Sequence, residues 1–500
     1  MSAPVPVLHL AADPAALARL RAILGNAGYT SERIDELIGA DLTALGQRAV
    51  PVVVRRTAGG SPLETLVRLF MAGVPVPRKA ADAALAPDTA EQWADWGLLT
   101  LDSVDATAHA TVQLACHGDL VVATDWGPTT PSVGTAPDHV MGLSPSTLTL
   151  ARMTVRQPSR ATLDLGTGCG LQALLAAPHS ERVIAVELNP RAVAMARFNA
   201  ALNNLDNVEC RQQDMLQALG DGSTEVFDSI VSNPPFVVGP RTPHLFMSSP
   251  QDPAELCRDL ARSAPRRLAT GGWCQFLANW APPHGRDWRE HLAEWFAGVD
   301  CDAWVIRRER QPVDEYAALW IETDRDDAHE YARRFDEWMR WYDERGIDAV
   351  DYGLVTMRKR ADATPGRLRL DDMRSPWDTA TGDDIAAAFA RHDWLDATDD
   401  DALLDARLRV SDAARLRREL VAVRGEWVPV SAQLRVDGGI GAPGGVDPHG
   451  ERIVARCDGV TPLAALLDDL AGALDTTRDA IATGALGAVR ALVDRGVLLP

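Results

Sequence analysis

Apolar and polar residues change their spacing repeatedly through the middle of the chain. Short apolar runs that fit strands recur between residues 140 and 360, and stretches with helical spacing separate most of them. Repeated strand–helix units predict an α/β domain with a mostly parallel sheet covered by helices on both faces. The predicted strands are Thr162–Leu165, Val183–Leu188, Val208–Arg211, Ser229–Ser232, Trp273–Ala278, Ala303–Arg307 and Gly353–Arg358.

The last predicted strand, Gly353–Arg358, follows a charged helix over about residues 326–345. A single strand that closes such a series often pairs antiparallel. We therefore expect it to join the sheet antiparallel, at an edge.

Residues 1–135 have a different pattern, which predicts a separate N-terminal α+β domain. Helical spacing returns several times and is followed by two alternating runs that Gly118-Asp119 joins into a hairpin. Helices followed by a hairpin indicate a winged-helix-like module. The predicted helical stretches are 14–46 (two short helices), 62–73 and 88–96, and the hairpin strands are Thr111–Leu114 and Leu120–Thr124.

Residues 361–500 predict a C-terminal accessory domain, also α+β. Its glycine-rich stretch 437–450 lacks the Gly-Lys-Ser/Thr of a phosphate loop, which favours a long hairpin or linker. Helical spacing resumes over residues 462–497, and the end of the chain, LVDRGVLLP, resembles WADWGLLT at 93–100. Either a duplicated winged module or a common glycine helix stop explains this similarity. The central part of the chain, residues 136–360, would form the remaining domain.

Composition narrows the class of protein. The 500 residues carry a net charge of −20, and each of the three predicted domains is net negative, so the overall field does not favour nucleic acid or an anionic membrane. We find no membrane-length apolar run and no secretory signal. Seven scattered cysteines without a Cys-x-x-Cys pair favour neither a disulfide framework nor a metal site. We expect a cytoplasmic protein.

A glycine-rich turn is the first candidate for chemistry. A predicted strand ends at Asp164-Leu165, and Gly166, Gly168 and Gly170 follow at alternate positions before a helix. Glycines at this place let a backbone approach a ligand at a helix N-terminus. The spacing is not the Gly-x-Gly-x-x-Gly of dinucleotide sites. Cys169, inside the turn, is expected to be a small packing residue.

Two acidic residues follow the next two predicted strands. Glu187 ends the strand RVIAVEL, where a carboxylate can accept both hydroxyls of a ribose. Asp214 follows the short strand Val208–Arg211, where an aspartate can accept from an adenine amino group. Glu187 alone could be an ordinary exposed side chain. Their order after the glycine turn favours a nucleoside site.

The fourth element is Asn233-Pro-Pro-Phe236, after the strand Ser229–Ser232. Two prolines make a rigid corner. Asn233 then presents an acceptor oxygen, Pro234 a backbone carbonyl and Phe236 a flat apolar face. This set suits a planar NH2 group, because two acceptors meet its hydrogens and a ring lies under its plane.

Together these elements resemble class I S-adenosylmethionine (SAM)-dependent methyltransferases of the Asn-Pro-Pro-aromatic subgroup, over about residues 140–360. The subgroup includes release-factor glutamine methyltransferases and ribosomal RNA enzymes. The resemblance implies a Rossmann-like, seven-stranded domain. It also implies that Asp164, Gly166, Gly168 and Gly170 line the methionine side of SAM, Glu187 holds the ribose and Asp214 contacts adenine. Asn233 and Pro234 would bind the target NH2, with Phe236 stacked on it, and Asn233 would also contact the cofactor.

The resemblance leaves the substrate open. Two flanking domains favour a macromolecule of the translation machinery, and we lean to an amino group of ribosomal or transfer RNA. The acidic composition favours the alternative, a glutamine amide of a release factor or another protein. N-methylation of a small molecule or peptide in secondary metabolism is a further alternative, and a non-enzymatic relic is disfavoured by the intact motifs. His244, Trp280 and His284, after later strands, could line a substrate pocket, although such residues more often serve loops or the core.

Overall fold

The computed structural model describes residues 13–39, 49–127, 136–220, 222, 224–240, 253–321, 328–361, 366–373, 379–440 and 443–500. The chain divides into two compact units. One contains Met1–Ala151 and Gln157–Asp372, and the other contains Arg152–Arg156 and Met373–Pro500. In the described part of the chain, no helix is both long enough and apolar enough to cross a membrane.

The N-terminal part of the first unit is a helical layer followed by short strands. Its elements are α1 (Pro14–Ala27), α2 (Ser31–Ile38), α3 (Val50–Arg56), α4 (Pro62–Phe70), β1 (Val76–Pro77), α5 (Arg78–Ala84), α6 (Ala90–Asp95), β2 (Leu99–Asp102), β3 (Thr107–Ala110), β4 (Gln113–His117) and β5 (Leu120–Thr124). Residues 40–46 of the predicted helical stretch lie outside the described residues.

The segment from α4 to β3 has a winged-helix arrangement. A helix, a short strand, two helices and two strands follow one another, and the strands pair in the order β1-β3-β2. Local sequence explains the helices, because capping boxes open both α4 (Ser61 with Glu64) and α6 (Thr89 with Gln92). Phe70 and Trp93 are buried between them, with ring centroids 5.7 Å apart.

The hairpin predicted at residues 111–124 is present as β4 and β5, but it is not the wing. The wing is the β2–β3 pair, whereas β4 and β5 form a separate two-stranded sheet. Polar side chains of a later helix bind the β5 backbone, as Asn199 and Asn203 accept from the amides of Ala123 and Val121 at 2.8 and 2.9 Å. The sequence identified the hairpin but not the surface that it packs on.

The rest of the first unit is an α/β domain, as expected. Its elements are α7 (Pro145–Met153), β6 (Ser159–Leu165), α8 (Leu171–Ala176), β7 (Ser180–Glu187), α9 (Pro190–Leu202), β8 (Val208–Gln212), α10 (Met215–Leu219), β9 (Phe227–Ser232), α11 (Pro253–Ser263), β10 (Leu268–Trp280), α12 (Trp288–Trp295), β11 (Asp302–Pro312), α13 (Val313–Trp320), α14 (Ala328–Asp343), β12 (Ala349–Arg358) and β13 (Leu368–Asp372). Residues 326 and 327 of the predicted charged helix lie outside the described residues.

These strands form one twisted sheet in the order β13-β11-β12-β10-β9-β6-β7-β8. Strands β6 to β10 pair parallel, and β12 runs antiparallel to both β10 and β11. The antiparallel direction is therefore confirmed, but the expected edge position of this strand is wrong. Most of β12 is buried, as suits a strand with neighbours on both sides, and the half-buried β13 forms the edge instead.

The second unit is α+β. Beyond residues 152–156 its elements are α15 (Gly382–Ala397), α16 (Asp400–Asp405), β14 (Arg409–Val410), β15 (Ala414–Val423), β16 (Glu426–Val436), β17 (Gly444–Gly445), α17 (Pro448–Arg456), α18 (Leu463–Ala473), α19 (Arg478–Asp494) and β18 (Leu498–Leu499). The long hairpin is β15–β16, before the glycine-rich stretch that suggested one. Within that stretch, residues 441–442 lie outside the described residues.

The two similar glycine motifs have the same local geometry. Gly97 and Gly496 have positive φ, and the next residue in each donates back five positions, from Leu98 to Trp93 and from Val497 to Leu492. This is the glycine helix stop. The strands that follow pair differently, since β2 joins β3 and β18 joins β14. The shared geometry thus explains the similarity without a duplicated module.

Candidate active site

A cavity of about 460 Å³ opens at the carboxyl ends of β6, β7 and β9. This volume lies within the usual range for small-molecule sites. The cavity collects residues far apart in the chain, because parallel strands bring their carboxyl ends to one edge of the sheet. The predicted site residues in its lining are Asp164, Gly166, Gly168, Glu187, Asp214, Asn233, Pro234 and Phe236.

The glycine turn between β6 and α8 lines the cavity through Gly166 and Gly168. Gly166 and Gly168 have φ of +68° and +55°, a region that L side chains rarely adopt. A Cβ on Gly168 would meet no atom within 4 Å, so its backbone is open to the cavity. Gly170 lies outside the lining. A Cβ there would come within 3.2 Å of Ala196 Cβ, so this glycine permits close packing of the turn on α9.

Asp164, at the end of β6, holds the turn in place through hydrogen bonds. Its Oδ2 accepts from Thr167 Oγ1 at 2.5 Å and from the amide of Ala173 at 3.0 Å. Its Oδ1 is buried without a hydrogen-bond partner among the described residues. Burial raises the pKa of Asp164 to about 7, although the two hydrogen bonds oppose this. The unpaired oxygen is suited to a cationic or hydrogen-donating ligand.

Glu187 and Asp214 follow the neighbouring strands. Glu187 Oε2 accepts from the amide of Gly168 at 3.1 Å and Oε1 from the amide of Asn189 at 2.9 Å. Burial raises the pKa of Glu187. Asp214 is the N-cap of α10, where its Oδ1 accepts from the amides of Leu216 and Gln217. Both carboxylates are therefore held in place by backbone donors.

The Asn-Pro-Pro-Phe corner, after β9, also lines the cavity. Ser232 Oγ donates to the carbonyl of Leu165 at 2.8 Å and fixes the end of β9 to β6. Asn233 Nδ2 donates to Thr147 Oγ1 at 3.1 Å, while Asn233 Oδ1 is buried without a partner among the described residues. Phe236 is buried, with its ring centroid 5.9 Å from that of Tyr352. The corner thus presents an unused acceptor beside an aromatic face.

The sequence analysis missed several lining residues. The cavity is also lined by His139, Met141, Ser144, Ser146, Thr147, Gln172, Leu256 and Trp320. Most lie outside the strand ends on which the motif search concentrated. Ser144 to Thr147 open helix α7, and the run Ser-Pro-Ser-Thr is a helix-start signal that could have drawn attention to this segment.

Two of the three loop candidates, Trp280 and His284, are not in the lining of this cavity. Trp280 is fully buried and stacks on Trp288 with centroids 6.0 Å apart. His284 is exposed and pairs with Asp348. His244 lies outside the described residues. Cys169 is buried in the hydrophobic core, as expected of a packing residue.

This sheet order with its antiparallel β12, the glycine turn and the Asn-Pro-Pro-Phe corner define a class I SAM-dependent methyltransferase domain. Residues 143–299 match the family described as methyltransferase small domain. Residues 26–110 and 386–500 match two further families, both described as domains of unknown function.

Among similar proteins, the release factor glutamine methyltransferase of Cereibacter sphaeroides is 35% identical over 142 residues, 26% of this chain and 50% of that protein. The Escherichia coli protein of the same name is 43% identical over 100 residues, 19% of this chain and 33% of that protein. The chain thus matches half or less of these relatives' length. Among solved structures, the YcgJ protein from Bacillus subtilis overlaps 43% of this chain and 97% of its own, with TM-score 0.28 and 15% identity.

Proposed function

We propose that this protein transfers a methyl group from SAM to a planar NH2 nitrogen of a macromolecule. The observation that carries the proposal is the buried, unpaired Oδ1 of Asn233 in the cavity wall. A buried acceptor without a donor costs about 1–3 kcal/mol, which a ligand N–H at this place would recover. The carbonyl of Pro234, next in the chain and also in the cavity lining, would supply a second acceptor for the other N–H.

Other residues of the cavity lining would suit SAM. The open backbone at Gly168 leaves room for the methionine part, and the unpaired Asp164 Oδ1 can accept from its ammonium group. Glu187 would hold the ribose hydroxyls. Both cap bonds of Asp214 fall on Oδ1, so Oδ2 is the oxygen that would meet the adenine amino group. When bound, SAM supplies an electrophilic methyl group on its sulfonium.

The residues of the chain would then act mainly by positioning. Acceptors at Asn233 and Pro234 would hold both N–H groups of the target, oppose delocalisation of the nitrogen lone pair and aim it at the methyl group. Phe236 would fix the plane of the target from one side. No general base is required before attack, because the N–H becomes acidic once nitrogen has been alkylated.

We favour a glutamine amide of a translation-related protein as the target. Several relatives of the central domain carry the name release factor glutamine methyltransferase. The net charge of −20 supports this choice, because a strongly acidic protein is less suited to bind RNA. In the winged-helix segment, α6 carries Glu91 and Asp95 and no basic residue, which disfavours a nucleic-acid backbone.

An RNA amino group is the second candidate. The winged-helix arrangement of α4 to β3 favours it, because such modules commonly bind nucleic acid. An exocyclic amine and a primary amide are both planar NH2 groups, so the same two acceptors would serve either substrate.

The experiment is methyl transfer from radiolabelled SAM into an extract of the host lacking this protein. We expect macromolecular label that protease removes and ribonuclease leaves. Label removed by ribonuclease would establish the RNA candidate instead. Label only in small molecules, or none with a protein that binds SAM, would refute the proposal of a macromolecular substrate.

A further inference from the structure

The side-chain amide of Asn233 has a donor end and an acceptor end, and only one orientation suits an amino substrate. With Oδ1 toward the cavity, the amide accepts a hydrogen bond from the target NH2. With Nδ2 toward the cavity, two NH2 groups would face each other and neither could accept. The orientation of this amide is therefore decisive for a site that must bind an amine or amide nitrogen.

Thr147, at the start of α7, contacts the donor end. Its Oγ1 lies 3.1 Å from Asn233 Nδ2, across 86 positions of sequence. The opposite end, Oδ1, is the buried acceptor without a partner among the described residues. One end of the amide is thus bound by the protein while the other is left for a ligand.

Further hydrogen bonds hold the Thr147 hydroxyl in place. It lies 2.8 Å from Ser144 Oγ, which lies 2.8 Å from Ser146 Oγ. The amide of Thr147 also donates to Ser144 Oγ, and its carbonyl accepts from Gln172 Nε2 at 2.9 Å. Asn233 donates to Thr147, and a matching order for the hydroxyl groups has Thr147 donating to Ser144 and Ser144 to Ser146.

We infer that Thr147 is a positioning residue, which selects the amide orientation that turns Asn233 Oδ1 toward the substrate nitrogen. The inference rests on the proposed function. Thr147 acts through Asn233 and does not itself touch the transferred group. Removing the Thr147 hydroxyl should therefore lower the rate of methyl transfer and leave the affinity for SAM unchanged.

The test compares Thr147→Val, which keeps the shape but removes the hydroxyl, with Thr147→Ser, which keeps the hydroxyl. Thr149→Val is the matched control, because Thr149 lies on the same helix outside the cavity lining. We would measure the initial rate of label transfer from saturating SAM into the host extract, the SAM Kd by calorimetry and the melting temperature.

We expect Thr147→Val to lower the rate at least about tenfold, with SAM Kd within about twofold of wild type, and Thr147→Ser to restore most of the rate. An unchanged rate in Thr147→Val would overturn the inference. So would a loss in Thr147→Ser equal to that in Thr147→Val, or a parallel loss of SAM affinity, which would indicate a structural role. Absence of transfer by the wild type would instead refute the proposed function.

Discussion

The side-chain amide of Asn199 forms hydrogen bonds with both the backbone amide and the backbone carbonyl of Ala123. Asn199 Oδ1 accepts from the Ala123 amide at 2.8 Å, and Asn199 Nδ2 donates to the Ala123 carbonyl at 2.9 Å. Asn199 lies on α9 of the methyltransferase domain and Ala123 on β5 of the hairpin, and both are fully buried. Through this contact the N-terminal segment and the methyltransferase domain share one hydrophobic core.

Replacing Asn199 by alanine should therefore destabilise the first unit. Three buried backbone groups lose a hydrogen bond, because Asn199 Nδ2 also donates to the Cys169 carbonyl at 2.8 Å, and this costs about 3 kcal/mol or more. Asn203→Ala is the matched comparison, because Asn203 binds the amide and carbonyl of Val121 in the same way at a half-buried position where water can replace it. Urea unfolding of both variants measures the difference. Equal losses of stability would show that burial of the Asn199 contact is unimportant.

Gly168 and Gly170 should respond differently to alanine. At Gly170, Cβ would lie 3.2 Å from Ala196 Cβ and 3.3 Å from Ala196 Cα, at φ +94°, so Gly170→Ala should lower stability by about 2 kcal/mol or more. At Gly168, Cβ would enter open space, so the cost is the left-handed backbone alone, about 1–2 kcal/mol.

The Gly168 substitution should instead weaken SAM binding by about tenfold or more, because the methyl group takes space beside the cofactor. Thermal unfolding and calorimetric titration with SAM distinguish the two effects. A Gly168→Ala protein that binds SAM like wild type would contradict the assignment of this turn to the cofactor.

Asp164 should make SAM binding depend on pH. Its pKa of about 7 lies above its ordinary value of 3.8, because burial disfavours the charged carboxylate. The cationic SAM favours the ionised form, so binding should release a proton and strengthen as pH rises from about 6 to 8. Glu187, whose pKa is also raised by burial, acts in the same direction.

Calorimetry in two buffers of different ionisation enthalpy measures the released proton, and Asp164→Asn should flatten most of the dependence. The stability of the protein without SAM should have the opposite dependence on pH. The folded state holds the proton more tightly than the unfolded state, so this group's contribution to stability falls as pH rises from about 4 to 7. SAM affinity that does not change between about pH 6 and 8 would contradict the role of Asp164.

The features of the site that depend on local sequence patterns were predicted from the sequence. The strand ends that place Asp164, Glu187 and Asn233 at one edge of the sheet follow from short apolar runs and the direction of parallel strands. The sequence did not predict the position of β12 within the sheet, since a buried apolar strand has the same sequence pattern at any interior position. Thr147 was also missed, because a hydroxyl at a helix start resembles an ordinary cap, and only the fold brings it to Asn233.

The central claim is that the unpaired acceptor of Asn233 binds the nitrogen to be methylated. Its most direct test is Asn233→Ala, assayed for label transfer from SAM into the host extract and for SAM affinity by calorimetry. The account predicts that transfer falls about 100-fold or more, as when a single preorganised polar contact is removed from an active site, while SAM Kd stays nearly unchanged. Transfer by Asn233→Ala at the wild-type rate would contradict it.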